Sequence, residues 1–362
     1  MHITVEREIF HKNLEKVARV STKHISMPIL QYILLEVSGG TLVLQATNLE
    51  VFIQCSLPAQ EIKKGRVCVL ASTLLQTISL ITQKEIVIQT KGDVLVVETK
   101  TSKSSINTVS YEDFPTIPKI KGGGQEIKGV SFSQGIRTAA FAASQSSIKP
   151  ELGSVYIFQK KGHALTFVAT DSFRLVEKTV PQQNVVLEEG VLIPHKNALE
   201  IAHVCDVGDE KLMFFVSENQ CAVEVGGIYI TSRLVTGSFP DYENIIPKEF
   251  VTHTTLLVSD LQHTLKKTSI YLNKFMQLTF MVAKNHISIT SKSEVGTTTE
   301  KVEATTEGDD ITLSFNQRYV QEILPYISDE SMTIHFAGVG RPMIIEGVHD
   351  RSLRYLVMPM NK

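Results

Sequence analysis

The chain has 362 residues, enough for two or three domains, and its 43% hydrophobic and 20% charged content is that of an ordinary soluble globular protein. A formal net charge of −2 at pH 7 excludes a strong global attraction to nucleic acid or acidic membranes, though not a local basic face. Four cysteines, Cys55, Cys68, Cys205 and Cys221, form no C-x-x-C pair and read as buried reduced thiols. No apolar run approaches the ~20 residues of a membrane span, and the alternating start Met1–Glu6 reads as a strand and not a signal peptide, so the protein is expected in the cytoplasm.

The first strand is expected at Ile3–Val5. A helix should run from about Glu8 to Val20, because Phe10, Leu14, Val17 and Ala18 recur at helical spacing. Strands follow at Tyr32–Val37, Thr41–Ala46 and Val51–Leu57, with Ser38-Gly39-Gly40 as the first turn. A strand at Arg66–Leu70 leads into a helix at Ser72–Ile81, with Ser72 as its N-cap. Strands at Glu85–Gln89, Val94–Thr99 and Ser104–Val109 lead to Phe114-Pro115-Thr116-Ile117-Pro118, and Lys121–Gly124 reads as a flexible linker.

The same order then recurs. A strand at Ile127–Ser131 meets a helix at Ser133–Ala143, and strands follow at Ser154–Gln159, Ala164–Thr170, Arg174–Thr179 and Gly190–Pro194. A helix at His195–Val204 precedes strands at Lys211–Ser217, Ala222–Val225 and Gly227–Arg233. A third pass gives a strand at Thr254–Val258 and a helix at Ser259–Lys267. Strands follow at Met276–Val282, His286–Ser291, Thr297–Glu303 and Asp310–Ser314, then a helix at Asn316–Ile327 and strands at Ser331–Phe336, Met343–Glu346 and Leu353–Met358. Strand, helix, three strands, strand, helix, three strands is thus repeated three times, in copies of about 120 residues. Runs of short antiparallel strands with two helices per copy indicate an α+β chain and exclude a doubly wound sheet.

Between the second and third copies lies Phe239–Pro247, bounded by prolines at 240 and 247 and rich in large apolar groups. Proline cannot donate to a strand ladder, so the segment is a joint, and its apolar groups call for cover. Phe114–Pro118 is its shorter counterpart after the first copy.

Catalytic motifs are lacking: the sequence has no G-x-S-x-G, H-E-x-x-H, P-loop or G-x-G-x-x-G. His195, His203, Cys205 and Asp206 invite a metal reading, but two histidines eight apart on a helix are about 12 Å apart along its axis. Asp171-Ser172-Phe173-Arg174 follows a strand; Asp171 and Arg174 suit a tied tight turn that leaves Phe173 projecting. Lys12, Lys16, Arg19, Lys23, Arg137, Lys149, Lys196, Lys266, Lys267 and Arg318 lie in or near helices. Acidic pairs such as Glu188-Glu189, Asp209-Glu210 and Asp309-Asp310 fall elsewhere, so helices gathered on one face would make that face basic and suited to duplex DNA.

Met1–Arg7, Met27-Pro28-Ile29-Leu30, Ala169–Leu175 (A-T-D-S-F-R-L), Ser238–Pro247, Phe315-Asn316 with Tyr319, and Tyr355–Met360 (Y-L-V-M-P-M) stand together as ordered motifs. On these the chain resembles, over its whole length, the bacterial β sliding clamp family, the processivity subunit of DNA polymerase III. The resemblance implies three tandem copies of the DNA-clamp fold, each of two helices packed on antiparallel sheets, at 1–120, 127–247 and 248–362. It implies a head-to-tail homodimeric ring, with Ser104 and Ile106 meeting Ser269 and Ile270 of the other chain, and Ser104–Val109 pairing near Ser269–Leu272. The ring would encircle duplex DNA without sequence specificity, with Lys23, His24, Lys149, Lys196 and Lys266 near the DNA. It would be a non-catalytic processivity factor needing no cofactor, metal or membrane. The DNA polymerase III catalytic subunit, the clamp loader, other polymerases and repair proteins would dock in one peptide groove per chain. Carried over position by position, that groove comprises Leu152, Thr170, Ser172, Phe173, Arg174, Leu175, Pro240, Asn244, Ile245, Phe275, Asn316, Tyr319, Leu356, Val357, Met358, Pro359 and Met360. In it, Leu175, Ile245, Leu356 and Met358 would form an apolar floor, and Arg174 and Asn316 would fix the peptide. The chain departs from the family's usual glycine and histidine at Ser172 and Phe173, from its frequent arginine at His24, and from the tyrosines of some members near Pro150 and Glu151. Two other classes compete: a monomeric protein-binding repeat scaffold, and a metal-dependent hydrolase centred on His195 and His203.

Overall fold

Alternating burial along Met1–Glu6 makes the first strand, β1 (His2–Glu6), with Ile3 and Val5 turned into the core. The computed structural model describes residues 1–21, 25–116, 119–120, 122–146, 148–160, 164–181, 185–187, 189–206, 208 and 210–360. The first copy continues with α1 (Arg7–Val20), which buries Phe10, Leu14, Val17 and Val20 on one stripe. Next come β2 (Tyr32–Ser38), β3 (Thr41–Thr47), β4 (Val51–Pro58), β5 (Gln60–Lys63), β6 (Gly65–Leu70), α2 (Ala71–Ser79), β7 (Glu85–Lys91), β8 (Val94–Glu98) and β9 (Lys103–Val109). The second copy runs β10 (Gln125–Lys128), α3 (Gly129–Ala140), β11 (Ser154–Lys160), β12 (Ala164–Thr170), β13 (Arg174–Pro181), β14 (Val191–Pro194), α4 (His195–Val204), β15 (Lys211–Val216), β16 (Gln220–Val225) and β17 (Ile228–Arg233). The third runs β18 (Thr252–Leu257), α5 (Val258–Thr268), β19 (Gln277–Ala283), β20 (His286–Ser293), β21 (Gly296–Glu303), β22 (Thr305–Gly308), β23 (Ile311–Asn316), α6 (Gln317–Ile323), β24 (Ser331–Phe336), β25 (Met343–Gly347) and β26 (Leu353–Val357).

The threefold order holds, with local corrections. Ser72 does not cap α2: the helix starts at Ala71, and the cap position is Leu70, which makes no side-chain bond. The strand expected to Ser131 ends at Lys128, because Phe132, Ile136, Ala139 and Ala140 are all buried at helical spacing and recruit Gly129–Ser131 into α3. The last helix stops at Ile323, and a 3-10 turn, Leu324–Tyr326, carries Pro325, which has no N–H to continue an α-helical ladder. Asn316 caps α6 instead, its Oδ1 accepting from the Arg318 N–H at 3.0 Å. The unexpected strands β5 and β22 are four-residue polar edges, paired to β1 and β18 respectively.

Contacts gather the chain into two compact bodies, Met1–Ser133 with Lys196–Leu234, and Gln134–His195 with Val235–Lys362. The first holds one thirteen-stranded antiparallel sheet, β10-β15-β16-β17-β4-β3-β2-β6-β9-β8-β7-β1-β5. The second holds a nine-stranded sheet, β14-β11-β12-β13-β26-β25-β24-β18-β22, and a four-stranded one, β21-β20-β19-β23.

Pairings repeat between copies as the elements do. The third strand after the first helix pairs with the last strand of the next copy: β4 with β17, and β13 with β26. Their counterparts at the chain's two extremes, β9 and β21, lack that partner. Among the described residues, only Thr108 and Val109 of β9 pair on the side away from β8, and β21 pairs with β20 alone.

In the second body the core packs closely. A Cβ at Gly135 of α3 would lie 2.4 Å from the Phe167 ring, so glycine lets the helix approach β12. Tyr355 is fully buried, and its hydroxyl is satisfied by the Tyr319 carbonyl at 2.9 Å.

Candidate functional site

The turn between β12 and β13 is built by its own polar side chains. Asp171 Oδ1 accepts from the N–H groups of Phe173 and Arg174, both at 3.0 Å, and Thr170 Oγ1 accepts from Ser172 N at 3.1 Å. This geometry holds Ser172 at φ +76°, a left-handed position where a Cβ is strained, and leaves the Phe173 ring 60% exposed. The tied turn with a projecting Phe173 is what the sequence predicts.

Arg174 ties the turn through Asp171, as the sequence predicts, and reaches further. Its side chain is only 5% exposed: Nε donates to Asp171 Oδ2 at 3.0 Å, Nη2 to the Phe141 carbonyl at 2.8 Å, and Nη1 to Glu322. The guanidinium lies 4.7 Å from the Tyr319 ring centre and 5.3 Å from that of Phe141. Arg174 therefore binds β13 to α6 and to the chain beyond α3 and turns little toward solvent. Burial pushes the Glu322 carboxyl up, but hydrogen bonds from Arg174 and Arg318 outweigh it and hold it below its ordinary value.

The joint after β17 forms a wall. Phe239 stacks on Tyr156 at 5.0 Å and Tyr156 on Phe158 at 4.9 Å, so the joint's apolar groups are covered by β11. In the 3-10 turn Tyr242–Ile245, Tyr242 is buried and donates its hydroxyl to Glu177 Oε2 at 2.6 Å. Burial, reinforced by the Glu177 carboxylate, pushes the Tyr242 hydroxyl well above its ordinary range. Lys160 Nζ reaches the same carboxylate oxygen at 3.1 Å. Pro240, Asn244 and Ile245 remain exposed, Ile245 by 53%.

Opposite the joint in sequence, β26 pairs with β13, setting Leu175 against Leu356 and Arg174 against Val357. Beyond β26 the chain is tied down at both ends of Met358–Met360: Met358 N–H donates to the Phe173 carbonyl and Met360 N–H to the Ser314 carbonyl, both at 2.8 Å. Leu175, Leu356 and Val357 are buried, as are Leu152 and Thr170, whereas Met358, Pro359 and Met360 are half-buried. Phe275 is 58% exposed, its carbonyl accepting from Asn316 Nδ2 at 3.3 Å. Hydrogen bonds thus link the exposed Phe173 to the half-buried strip Met358–Met360, and that strip to β23, whose Asn316 holds the exposed Phe275; the buried leucines lie on β13 and β26, and Ile245 is exposed on the joint. The signals missed in the sequence are Glu177, Glu322 and Phe141, which reach the site from remote positions and carry no local motif.

Elsewhere, Lys149, Lys196 and Lys266 are exposed and have no carboxylate within ion-pair range among the described residues. Other helix cations are partly neutralised: Arg19 pairs with Glu200 at 2.9 Å, Lys267 with Glu300 at 3.0 Å and Arg318 with Glu322 at 2.6 Å. The helices are therefore less uniformly basic than the sequence suggests. Lys23 and His24 lie outside the described residues, as do Ile117, Pro118, Lys121, Glu188 and Asp209. His195 opens α4 with Nδ1 2.9 Å from the Gly153 carbonyl, a structural contact. No group of three metal-ligating side chains forms among the described residues, and no described helix is long and apolar enough to cross a membrane. Ser269–Tyr271 is a 3-10 turn with Ile270 70% exposed and not a strand; the edge strand of its sheet is β21. Ser104 lies on β9 with Ile106, whose side chain is buried.

Residues 1–118 match the family model of the DNA polymerase III beta subunit N-terminal domain, residues 126–241 that of its central domain and residues 243–361 that of its C-terminal domain. The chain is 27% identical over 365 residues to beta sliding clamps of Salmonella typhimurium and Escherichia coli K12, covering 99% of this chain and 100% of each relative. Its fold superposes with a TM-score of 0.94 and 24% identity on the Thermotoga maritima DNA polymerase III beta subunit, covering 100% of this chain and 99% of that one. The same scores relate it to the Pseudomonas aeruginosa sliding clamp bound to griselimycin, with 100% of both chains covered.

Proposed function

We propose, from the premise that this chain belongs to the DNA polymerase III beta subunit family, that it is a DNA sliding clamp that encircles duplex DNA and tethers the replicative polymerase. It is a non-catalytic accessory subunit built of three tandem clamp domains, and its partners are double-stranded DNA, a second copy of itself and the polymerase machinery. A tether of this kind raises the effective concentration of polymerase at the primer end without contributing chemistry. The domain limits we assign are 1–120, 127–247 and 248–362, and we assign the protein to the cytoplasm.

One observation carries the ring. Within the chain, β4 pairs with β17 and β13 with β26, and the same rule leaves β21 wanting a last strand and β9 wanting a third strand. A second copy supplies both: β9 of one chain meets β21 of the other, and the reverse contact closes the ring. Head-to-tail contacts close only when the rotation fits, and closure hides edges that would otherwise invite aggregation. This reading moves the strand contact from Ser269–Leu272 to β21, while the exposed Ile270 beside that sheet supplies apolar cover. Exposed unpaired lysines at 149, 196 and 266 support a loose, sequence-independent hold on phosphates. The surface between Phe173, Ile245, Phe275 and Met358–Met360 is the docking groove for the polymerase and its other partners, with Arg174, Glu322 and Tyr242 as its frame.

The decisive experiment loads the protein on nicked circular DNA and then linearises it. Retention on the circle with loss from the linear form, together with a dimeric mass, is the expected result. Equal loss from both, or a strictly monomeric mass at micromolar concentration, would refute the ring and favour a protein-binding scaffold.

A further inference from the structure

Beside the groove wall lies a hollow of about 320 Å³, lined by Asn244, Ile245, Pro247 and Pro342 and by two cations, Lys248 and Arg341. Both cations are exposed, and neither has a carboxylate within ion-pair range among the described residues. Glu249 is the one carboxylate in the lining, leaving the hollow a net positive charge. Neighbouring carboxylates are committed elsewhere. Glu243 lies 3.7 Å from Lys160, Asp241 accepts from Asn244 at 2.6 Å, and Glu346 holds Arg351 at 2.5 Å and Arg354 at 3.1 Å. The backbone presents Arg341 on a turn: its N–H donates to the Gly338 carbonyl at 3.2 Å, and Gly338 and Gly340 before it are both at positive φ. An apolar groove edge at Ile245 therefore runs directly into a small cationic hollow with no internal counter-ion pair.

We propose that this hollow receives the carboxylate of an aspartate or glutamate flanking the apolar anchor of a docked partner peptide, so that acidic flanks are a specificity determinant of this chain's groove. The inference rests on the groove reading above. The argument is charge complementarity: the planar guanidinium of Arg341 suits a carboxylate held by two hydrogen bonds, and Lys248 adds a point charge to the same lining. Because the hollow is open to water, the effect is modest, roughly three- to fivefold in affinity for one solvent-exposed pair, and it is screened by salt.

Fluorescence anisotropy with three synthetic peptides tests it. They share one apolar core and carry glutamate, glutamine or lysine flanks. At about 0.05 M salt the glutamate peptide should bind the wild-type protein severalfold more tightly than the glutamine peptide, and the lysine peptide most weakly; about 0.5 M salt should compress the series. Arg341→Glu and Lys248→Glu, both surface changes with folding checked by circular dichroism, should abolish or invert the ranking while leaving the glutamine peptide's affinity unchanged. Equal binding of glutamate and glutamine peptides to the wild type, or a ranking that survives the Lys248→Glu/Arg341→Glu double variant, would overturn the inference alone. Failure of all three peptides to bind the wild type would overturn the groove reading and this inference with it.

Discussion

Replacing Tyr242 by phenylalanine removes one hydroxyl and keeps the ring's edge contacts with Phe158 and Phe239, at 6.5 and 6.2 Å. The lost bond runs to the Glu177 carboxylate at 2.6 Å, and that residue is only 6% exposed. A hydrogen bond to a charged group contributes about 1.5–3 kcal/mol. Here the lower end applies, because Glu177 retains Lys160 at 3.1 Å and lies 3.8 Å from Arg354. A loss of about 1.5 kcal/mol in a body of this size should lower its melting temperature by about 3–5 °C. The same bond fixes the turn bearing Asn244 and Ile245, so part of the cost should appear as weaker docking, up to about tenfold in Kd, mainly through faster dissociation. Calorimetry of the purified protein and anisotropy with a clamp-binding peptide measure the two effects. Glu177→Gln keeps an acceptor and should lose less than Glu177→Leu. Unchanged melting and unchanged affinity in Tyr242→Phe would refute the claim that this bond holds the wall.

Deleting Met358–Lys362 should abolish peptide binding and leave the dimer intact by sedimentation; peptide affinity retained in the deletion would remove the C-terminal strip from the groove. Ile270→Glu should shift the dimer toward monomer in light scattering without lowering the melting temperature of the monomer, since the side chain is 70% exposed within the chain. Acid should weaken the second body through His335. Burial holds its proton affinity below the ordinary 6.5, with Glu346 opposing and His253, Arg351 and Arg354 adding to the depression. The unfolded chain then takes up the proton first, so the stabilisation is fully present above pH 6.5 and is lost as pH falls through the folded value. The urea midpoint should therefore drop between pH 7.5 and 5.5, and His335→Gln should flatten that dependence.

Much of this architecture was legible because its signals are local. Strand alternation in Ala164–Thr170, the helical stripe of α1 and the turn chemistry of Asp171-Ser172-Phe173 each lie within a few residues, and each element appears where its pattern predicts. What stayed hidden depends on distant pairing: the Arg174 partners Phe141 and Glu322, the Tyr242–Glu177 bond, and β5 and β22, which are too short and polar to announce themselves. The exception is instructive. The repeat made the two joints comparable, and their difference has a physical cause in the structure. After the first copy, the chain covers its own apolar patch: Phe52, Ala222 and Tyr229 are packed by Ile120 and Phe215, the Ile120 N–H donates to the Tyr229 hydroxyl at 2.8 Å, and Lys119 lies 4.8 Å over the Tyr229 ring. After the second copy, the longer joint is anchored inward by Phe239 and Tyr242 and turns Ile245 outward. A joint that seals its own patch leaves nothing for a partner to bind, whereas a joint that is itself fastened from behind leaves its far side open. That difference, and not the number of copies, is why one docking groove per chain is expected from a threefold repeat.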